Sequence, residues 1–469
     1  MSKERESHSR EGRRNKGKSL RQEIPFSKHS EWSPAADRPD PISLLQAQDE
    51  GRIKELLPIK YGRMLESPFA FLRGSAVVMA SDLAGSPSTG IQAILCGDAH
   101  LSNFGVFASP ERRLIFDIND FDETYPGPWE WDLKRLAASA VVAGRENGFK
   151  EKKCRSLAVD LTRMYAGAME KFAEAHTLDV WYYHVEADRV VDVFDQTSKK
   201  SKKRAAKMVK KARTKTHQQT MEKLTHFEDG RRRINSDPPL LVPMREWGLE
   251  KIFSEEDLRT QTDQNVEDAW SQYLASLPDE RRFLLRRYQI RDGALRVGGV
   301  GSVGTRCIIL LLEGVAEDDA LILQLKEAGT SVLESYLTTR RYQDHAHRVV
   351  TGQRLMQAVS DIFLGWHTSN FSGRNFYWRQ LKDMKGSAQV SEMDFDHLRT
   401  YLGVCAVCLA RAHARTGDGA AIFGYIGKKA SFSKAIGDFA IAYADQTERD
   451  YQILVEAVES GRIAAETGI

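Results

Sequence analysis

The sequence predicts an α+β fold in which helical and β-rich segments alternate along the chain. Apolar residues recur at helical spacing through residues 129–144 and again from residue 396 onward, as in helices with one buried face. Between them, residues 294–328 carry leucine and β-branched runs broken by Gly, Glu and Asp. Such runs predict antiparallel strands joined by turns. A second strand pair is expected at residues 360–367 and 375–383.

These patterns divide the chain into four segments. Residues 1–40 mix Lys, Arg, Glu, Ser and Pro without hydrophobic periodicity, which predicts a disordered basic tail. Residues 41–245 predict helices and one short hairpin, and this segment contains the candidate catalytic loop. Residues 246–395 are the β-rich segment with the glycine loop, and residues 396–469 predict helices that return to the helical lobe.

Composition limits the classes of function. A hydrophobic content of 41% and a charged content of 28% are typical of a globular protein. The net charge of +3 creates no global field that would attract nucleic acid. No run approaches the roughly 18–20 apolar residues of a membrane span, and the first twenty residues lack the apolar core of a secretory signal. Because five cysteines are a sparse set, we expect a reduced, cytoplasmic protein.

Two local patterns have both a structural and a functional interpretation. The basic run from Lys199 to Lys215 is either a phosphate- or nucleic-acid-binding face or a solvated helix. No aromatic residues interleave to stack bases, so we favour the solvated helix and do not expect nucleic acid as a partner. Cys405 and Cys408 form a CxxC pattern, but no further zinc ligands are evident at suitable spacing. We therefore interpret both as core thiols.

Residues 97–105, GDAHLSNFG, lie between predicted strands and upstream of an acidic cluster, LIFDINDFDE, at residues 114–123. Together they place a carboxylate (Asp98), an amide (Asn103) and a second carboxylate (Asp117) in one strand–loop–strand unit. Phosphoryl transfer needs an orienter or base for the attacking hydroxyl and oxygen ligands for Mg²⁺. A turn-capping aspartate would explain Asp98 alone, but not the set. We assign Asp98 and His100 to catalysis, and Asn103, Asp117 and Asp120 to the metal.

Residues 299–304, Gly-Val-Gly-Ser-Val-Gly, form a GxGxxG pattern whose neighbours decide its chemistry. A dinucleotide-binding fold needs a helix after the glycines, whereas residues 305–312 favour a strand. In kinases, a glycine loop between two strands covers the nucleotide phosphates. Lys326 on the next strand would pair these phosphates, anchored by Glu334 on a following helix; the alternative is a surface lysine. The predicted nucleotide-binding residues are Gly299, Gly301, Ser302, Gly304, Lys326 and Glu334.

Two arginines lie in unusual apolar contexts. Arg73 stands in FAFLRGSA and Arg354 in VTGQRLMQ. Either is a candidate to contact a phosphate.

Residues 97–103 resemble the HGDxHxxN catalytic loop of the aminoglycoside and choline kinase-type phosphotransferases, within the protein kinase-like superfamily. The resemblance implies that Asp98 is the catalytic base, and that Asn103 and Asp117 are metal ligands. Residues 127–137, GPWEWDLKRLA, are similar to the helix with the DLA motif, and we expect Asp132 to hold the catalytic loop by hydrogen bonds. Cys96 stands where these enzymes usually have His.

The glycine loop and Lys326 follow the catalytic loop here, whereas they precede it in those enzymes. The resemblance therefore implies a two-lobed protein kinase-like fold that is circularly permuted. Such a permutation is tolerated where the ends of the ordinary arrangement lie close together.

Over nearly its whole length the chain also resembles an uncharacterised bacterial family, the domain-of-unknown-function family 2252. That resemblance implies no established substrate. The matching stretches are FAFLRG, CGDAHLSNFG, FDINDFDET, GPWEWDLKRLA, VGGVGSVGTR, GQRLMQ and LARAHA.

The expected activity is ATP- and Mg²⁺-dependent phosphoryl transfer to a hydroxyl acceptor, either a small molecule or a protein. One alternative is a metal-dependent phosphoesterase with Asp98, His100 and Asp117 as ligands, because Asp-x-His is a reasonable metal pair. Another is a nucleotide-binding regulator without turnover. The sequence identifies neither the acceptor nor whether phosphate or AMP is transferred.

Overall fold

The computed structural model describes residues 9–197, 199–214, 217–246, 263–316, 319–337, 341–370, 372–381 and 384–469. The α+β class is confirmed. The helices are α1 (Arg10–Glu23), α2 (Ser27–Ser30), α3 (Pro41–Gln48), α4 (Leu57–Met64), α5 (Pro68–Gly74), α6 (Ala76–Ala84), α7 (Glu130–Glu146), α8 (Glu151–Glu174), α9 (Thr177–Tyr182), α10 (Ala187–Asp195), α11 (Lys199–Thr214), α12 (His217–Leu224), α13 (Asp263–Ala275), α14 (Asp279–Leu285), α15 (His345–Met356), α16 (Phe395–Thr416), α17 (Gly419–Ile426) and α18 (Ser431–Glu459). The strands are β1 (Gln92–Leu95), β2 (Phe104–Ala108), β3 (Leu114–Ile118), β4 (Tyr125–Pro128), β5 (Val185–Glu186), β6 (Thr225–Glu228), β7 (Arg231–Ile234), β8 (Leu241–Pro243), β9 (Gln289–Arg296), β10 (Cys307–Glu313), β11 (Ala320–Ala328), β12 (Gly365–Thr368), β13 (Asn375–Gln380) and β14 (Gly386–Ser387).

The β-rich segment, together with β8 from the preceding segment, forms a six-stranded antiparallel sheet with the order β12-β13-β11-β10-β9-β8. Its central strands, β10 and β11, are the leucine-rich runs that the sequence singles out. Their register places Lys326 opposite Cys307, and on the other side opposite Tyr377 of β13. Helix α15 lies between β11 and β12 in the chain and packs on β12, β13 and β11. The predicted strand pair at residues 360–383 is present as β12 and β13.

A smaller sheet carries the acidic motifs. Strands β2 and β3 form the predicted hairpin, and β14 and β5 extend it at either edge. Strand β1 pairs instead with β4. The chain therefore leaves β1, passes through residues 96–103, and enters the hairpin, so GDAHLSN occupies a loop between two sheets.

The helical part packs around α8, which contacts α7, α16 and α18. Their apolar faces join β2 and β3 in the largest hydrophobic core, in which Leu133, Leu157 and Leu409 are fully buried. All five cysteines are unpaired and buried, in agreement with core thiols. In the described parts of the chain, no helix combines the length and the apolarity that crossing a bilayer requires.

The basic run forms helix α11, and one of its faces is buried. Ala205 and Val209 are covered, while basic side chains bind acids on neighbouring elements. Lys202 contacts Asp195 at 2.6 Å, and Arg213 contacts an aspartate of α10 at 2.7 Å. The helix thus has the buried face and solvated charges of an ordinary amphipathic surface helix.

Residues 10–40, which the sequence predicts to be disordered, contain two helices, so the prediction is wrong for that part of the chain. Helix α1 packs against α17 with its backbone. A Cβ atom on Gly17 would lie 2.0 Å from the carbonyl oxygen of Ala421, and one on Gly424 would lie 2.1 Å from that of Arg14. Residues 1–8 lie outside the described residues.

We expect Gly17→Leu to detach α1 from α17, because the backbone contact leaves no room for a side chain. Overpacking of this kind costs about 1–3 kcal/mol of the free energy of unfolding. Thermal melts should show a lower Tm, and limited proteolysis should cut the N-terminal helix sooner. Lys16→Leu adds the same side chain at an exposed neighbouring position and should leave both readouts unchanged. Equal behaviour of the two variants would contradict the packing of α1.

Candidate functional site

A large polar cleft lies between the six-stranded sheet and residues 96–123. Its volume is about 1110 Å³. One wall is the loop between β9 and β10 with the neighbouring face of β11, and the other is the loop after β1 with the end of β3. Two motifs that are some two hundred residues apart in the sequence thus line one cavity. The predicted site residues in this lining are Asp98, His100, Asn103, Asp120, Gly299, Gly301, Ser302 and Lys326.

The loop after β1 is held by the carboxylate of Asp132 on α7. Its two oxygens accept hydrogen bonds from the backbone N–H groups of Cys96 and Gly97, at 2.8 and 3.0 Å. Gly97 has φ +82°, and a Cβ atom there would lie 2.2 Å from the carbonyl oxygen of Glu123. Only glycine fits this turn. The contacts agree with the structural role that the sequence suggests for Asp132.

Asp98 presents a partly free carboxylate to the cleft. Arg135 donates to Oδ1 at 2.5 Å, and Nε2 of His100 lies 3.5 Å from Oδ2. The side chain is 22% exposed, so a ligand can reach it although its orientation is fixed. Arg135 itself is buried, and it also donates to the carbonyl oxygen of Leu72.

His100 is neutral at pH 7. Burial lowers the pKa of its imidazole to about 4, and the cations Arg73 and Arg135 act in the same direction, against the opposing effect of Asp98. Its Nδ1 is buried and has no hydrogen-bond partner among the described residues. The imidazole therefore lies 3.5 Å from the carboxylate of Asp98 without a positive charge at pH 7.

Asn103 and Asp120 form the oxygen-rich corner of the cleft. Nδ2 of Asn103 donates to the carbonyl oxygens of Asp98 and Asp120, at 3.0 and 3.2 Å, which leaves Oδ1 as the amide's free acceptor. Burial tends to raise the pKa of Asp120, but Lys326, Arg379 and a further lysine outweigh it and hold that pKa below its usual value. Asp120 is therefore ionised.

This corner suits Mg²⁺ that arrives with phosphates. Mg²⁺ usually takes one or two carboxylates and completes its octahedron with water and phosphate oxygens. Here Asp120 would supply the carboxylate, and Asn103 would supply the amide oxygen. Within the described ranges, no three His, Cys, Asp or Glu side chains converge as a protein-only metal cage would require.

Lys326 reaches across the cleft to the acidic cluster. Nζ lies 2.5 Å from Oδ2 of Asp122, and the hydroxyl of Tyr377 donates to the other oxygen at 2.6 Å. Burial would lower the pKa of Lys326, but Asp120 and Asp122 outweigh it and hold the pKa well above its usual value. A buried, charged lysine that bridges sheet and loop differs from the surface lysine of the alternative interpretation.

The glycine loop covers one end of the cleft and is fastened through its carbonyl oxygens. Arg52 donates to Gly301 and Val303 at 2.9 and 2.6 Å, and Arg63 donates to Gly298. A Cβ atom on Gly299 would meet nothing within 4 Å. The loop is therefore held from outside, while its inner side is open to a ligand.

Three predicted site residues do not line the cleft. Asp117 is 1% exposed, and both its oxygens contact Nη2 of Arg411, at 2.5 and 2.6 Å. Gly304 has φ +85° and packs against Arg52, so it shapes the loop from behind. Glu334 lies in a turn, not in the predicted helix, and Lys326 contacts Asp122 in its place.

The sequence analysis gave no site role to several polar residues that hold the loops of the cleft. Arg348 on α15 donates to the carbonyl oxygens of Asp122 and Thr124, at 2.9 and 2.6 Å. His413 is fully buried, 3.3 Å from Asp132. Both lie in apolar helical patterns, as Arg411 does. A charged residue on an apolar helix face was the available signal, because burial of such a group requires a partner.

The described residues form an α+β protein with a cleft between the sheet that carries the glycine loop and the acidic loop. The chain belongs to the family DUF2252, described as an uncharacterized protein conserved in bacteria, which matches residues 52–457. That range contains every predicted site residue. No curated protein matches the chain, and no solved structure matches it.

The buried histidine makes stability depend on pH. The folded-state pKa of His100 is about 4, below the ordinary 6.5, so its contribution is complete above pH 6.5 and is lost as pH falls towards 4. Each such group adds up to about 1.4 kcal/mol per pH unit to the slope in this window. In denaturant unfolding, the free energy of unfolding of His100→Gln should therefore fall less steeply as the pH drops from 6.5 to 4. The control is His176→Gln, at an exposed position; an equal slope change there would contradict the assignment.

Proposed function

We propose that this protein is an ATP- and Mg²⁺-dependent phosphotransferase with a circularly permuted, two-lobed kinase-like arrangement. One observation carries the proposal: the glycine loop and Lys326 line the same cleft as Asp98, Asn103 and Asp120. Phosphoryl transfer needs these five elements within reach of one another. Their order along the chain is the reverse of that in kinases. In this proposal, the reversal changes how the elements are connected and leaves their arrangement in space the same.

The order of elements within the sheet supports this arrangement. In protein kinases, the glycine loop joins two strands, the lysine stands on the next strand, and a helix follows. Here the glycine loop joins β9 and β10, Lys326 stands on β11, and α15 follows before β12 and β13. At the other wall, Asp120 is followed by a buried phenylalanine, Phe121, as in the kinase D-F-G motif.

Each group at the site has a separate role in this reaction. The open carboxylate of Asp98 orients the acceptor hydroxyl and takes its proton, while Arg135 holds that carboxylate in place and neutral His100 lies beside it. Asp120 and Oδ1 of Asn103 hold Mg²⁺, which neutralises charge on the phosphates when it is bound. Backbone N–H groups of residues 299–302 and Nζ of Lys326 bind the phosphate oxygens.

The metal site proposed here uses Asp120 in place of Asp117. Both oxygens of Asp117 are committed to a buried arginine, Arg411, and the residue does not line the cleft. Turning that carboxylate to a metal would leave Arg411 uncompensated in the core. Asp120 stands three residues later, beyond the end of β3, where its side chain faces the cavity.

No specific observation favours the phosphoesterase. Its ligand set of Asp98, His100 and Asp117 is not brought together, because the third carboxylate belongs to the buried pair. That reading also gives no role to the glycine loop or Lys326. The nucleotide-binding regulator differs from the proposal only in turnover, and ATP hydrolysis or transfer by the purified protein distinguishes the two.

The first test is the effect of ATP on the melting temperature, with and without Mg²⁺. Ligand at about 100 times its Kd adds about 2.7 kcal/mol to the free energy of unfolding. We expect a Mg²⁺-dependent shift of a few degrees that is lost in Lys326→Ala, because the phosphates lose their buried cation. Lys207→Ala, on the exposed face of α11, should keep the shift. The absence of a shift in the unaltered protein would reject the nucleotide site.

A second test separates the two aspartates. Asp120→Asn should remove the Mg²⁺-dependent part of the ATP-induced shift with little change in the melting temperature without ligand. Asp117→Asn should lower that melting temperature, since breaking a buried ion pair costs about 3–5 kcal/mol, and should leave the Mg²⁺ dependence intact. The reverse pattern would return the metal to Asp117.

A further inference from the structure

Arg73 is a partly buried arginine in the wall of the cleft, and its side chain has no partner among the described residues. It lies near the C-terminal end of α5 and lines the cavity. Its Nε is buried and makes no hydrogen bond, and no ion pair joins its guanidinium to another described residue. Burial lowers its pKa while the charge of Asp98 opposes this, yet an arginine stays protonated at any physiological pH.

Four other arginines around the cleft donate hydrogen bonds to protein groups. Arg135 binds Asp98 at 2.5 Å, Arg348 donates to three backbone carbonyl oxygens, and Arg52 holds the glycine loop. Arg354, the second arginine that the sequence singled out, donates to the carbonyl oxygen of Leu364 at 2.6 Å. Arg73 thus differs from all four. A partly buried cation without a protein partner favours a bound anion, which would supply that partner.

Its position indicates which anion. A Cβ atom on Gly301, at the tip of the glycine loop, would lie 3.5 Å from the carbonyl oxygen of Arg73. The charge of the same residue acts on both Asp98 and His100. Arg73 therefore stands between the loop that would hold the nucleotide phosphates and the carboxylate that would orient the acceptor. In the proposed reaction, the transferred group passes through this space.

We propose that Arg73 is a catalytic residue that binds the phosphoryl group during transfer. The inference rests on the proposed function. The bond between the γ-phosphorus and the oxygen that bridges to the β-phosphate breaks, and a bond from the acceptor oxygen to that phosphorus forms. The acceptor's proton goes to Asp98, and ADP leaves. Arg73 donates hydrogen bonds to the non-bridging oxygens and exchanges no proton.

A cation in this place strengthens binding of the transition state more than binding of the ground state. Contacts of this kind are worth about 10³–10⁵ in kcat in other phosphoryl-transfer enzymes. Aluminium fluoride with MgADP mimics the phosphoryl group in transfer, so it tests Arg73 without knowledge of the acceptor.

The experiment measures MgADP affinity by calorimetry, with and without aluminium fluoride, in the unaltered protein, Arg73→Gln, Arg73→Lys and the control Arg354→Gln. We expect aluminium fluoride to tighten MgADP binding in the unaltered protein and the control. We expect Arg73→Gln to bind MgADP with a Kd within about twofold of that of the unaltered protein. The factor by which aluminium fluoride lowers this Kd should be at least about tenfold smaller than in the unaltered protein, in line with the loss of a transition-state contact. Arg73→Lys, which keeps the charge, should retain part of the tightening.

Each other outcome is decisive. Equal tightening in Arg73→Gln, or no tightening in the unaltered protein that binds MgADP, overturns the role of Arg73 and leaves the nucleotide site standing. Loss of MgADP binding itself in both Arg73 variants shows a structural or ground-state role and also overturns it. If the unaltered protein binds no MgADP, the proposed function fails, and this inference fails with it.

Discussion

The contact between residues 120–124 and the six-stranded sheet is the interaction on which the site depends. Lys326 and Tyr377 bind the carboxylate of Asp122, and Arg348 binds backbone carbonyl oxygens in the same short segment. The carboxylate of Glu123 accepts from the backbone N–H of Val332 at 2.7 Å. Because Lys326 is buried and its charge needs a partner, these contacts fix how the sheet meets the acidic loop. The cleft is the space that remains between them.

Within this space, the protein balances a dense set of opposite charges. Asp120 remains ionised because Lys326 and Arg379 lie close, and the same carboxylate holds Lys326 in its charged form. Bound phosphates would bring negative charge to the cations, and a divalent cation would bring positive charge to the acids. The proposed ligand, MgATP, carries both charges.

The sequence predicts the fold class, the hairpin, the strand pair and the residues that share the cleft, because glycine and acidic patterns are local. It predicts less well which of two nearby acids faces the cavity. Strand β3 is buried on both faces, so its composition does not reveal the side on which Asp117 lies, and only Arg411 from a distant helix settles it. Helix α1 buries Gly17 and no large apolar side chain, so hydrophobic periodicity misses it. The partner of Lys326 depends on tertiary packing across 204 residues.

The reversed motif order has a consequence during synthesis. Asp122 leaves the ribosome 204 residues before Lys326, an interval of about 10–40 s at translation rates of about 5–20 residues per second. During this interval, the acidic cluster at residues 114–123 of the nascent chain faces water without the cationic partner that Lys326 later provides. Charges that flank buried strands act as gatekeepers against aggregation. The acids that later form one wall of the cleft would keep the unfinished chain soluble until the six-stranded sheet is synthesised and packs against them.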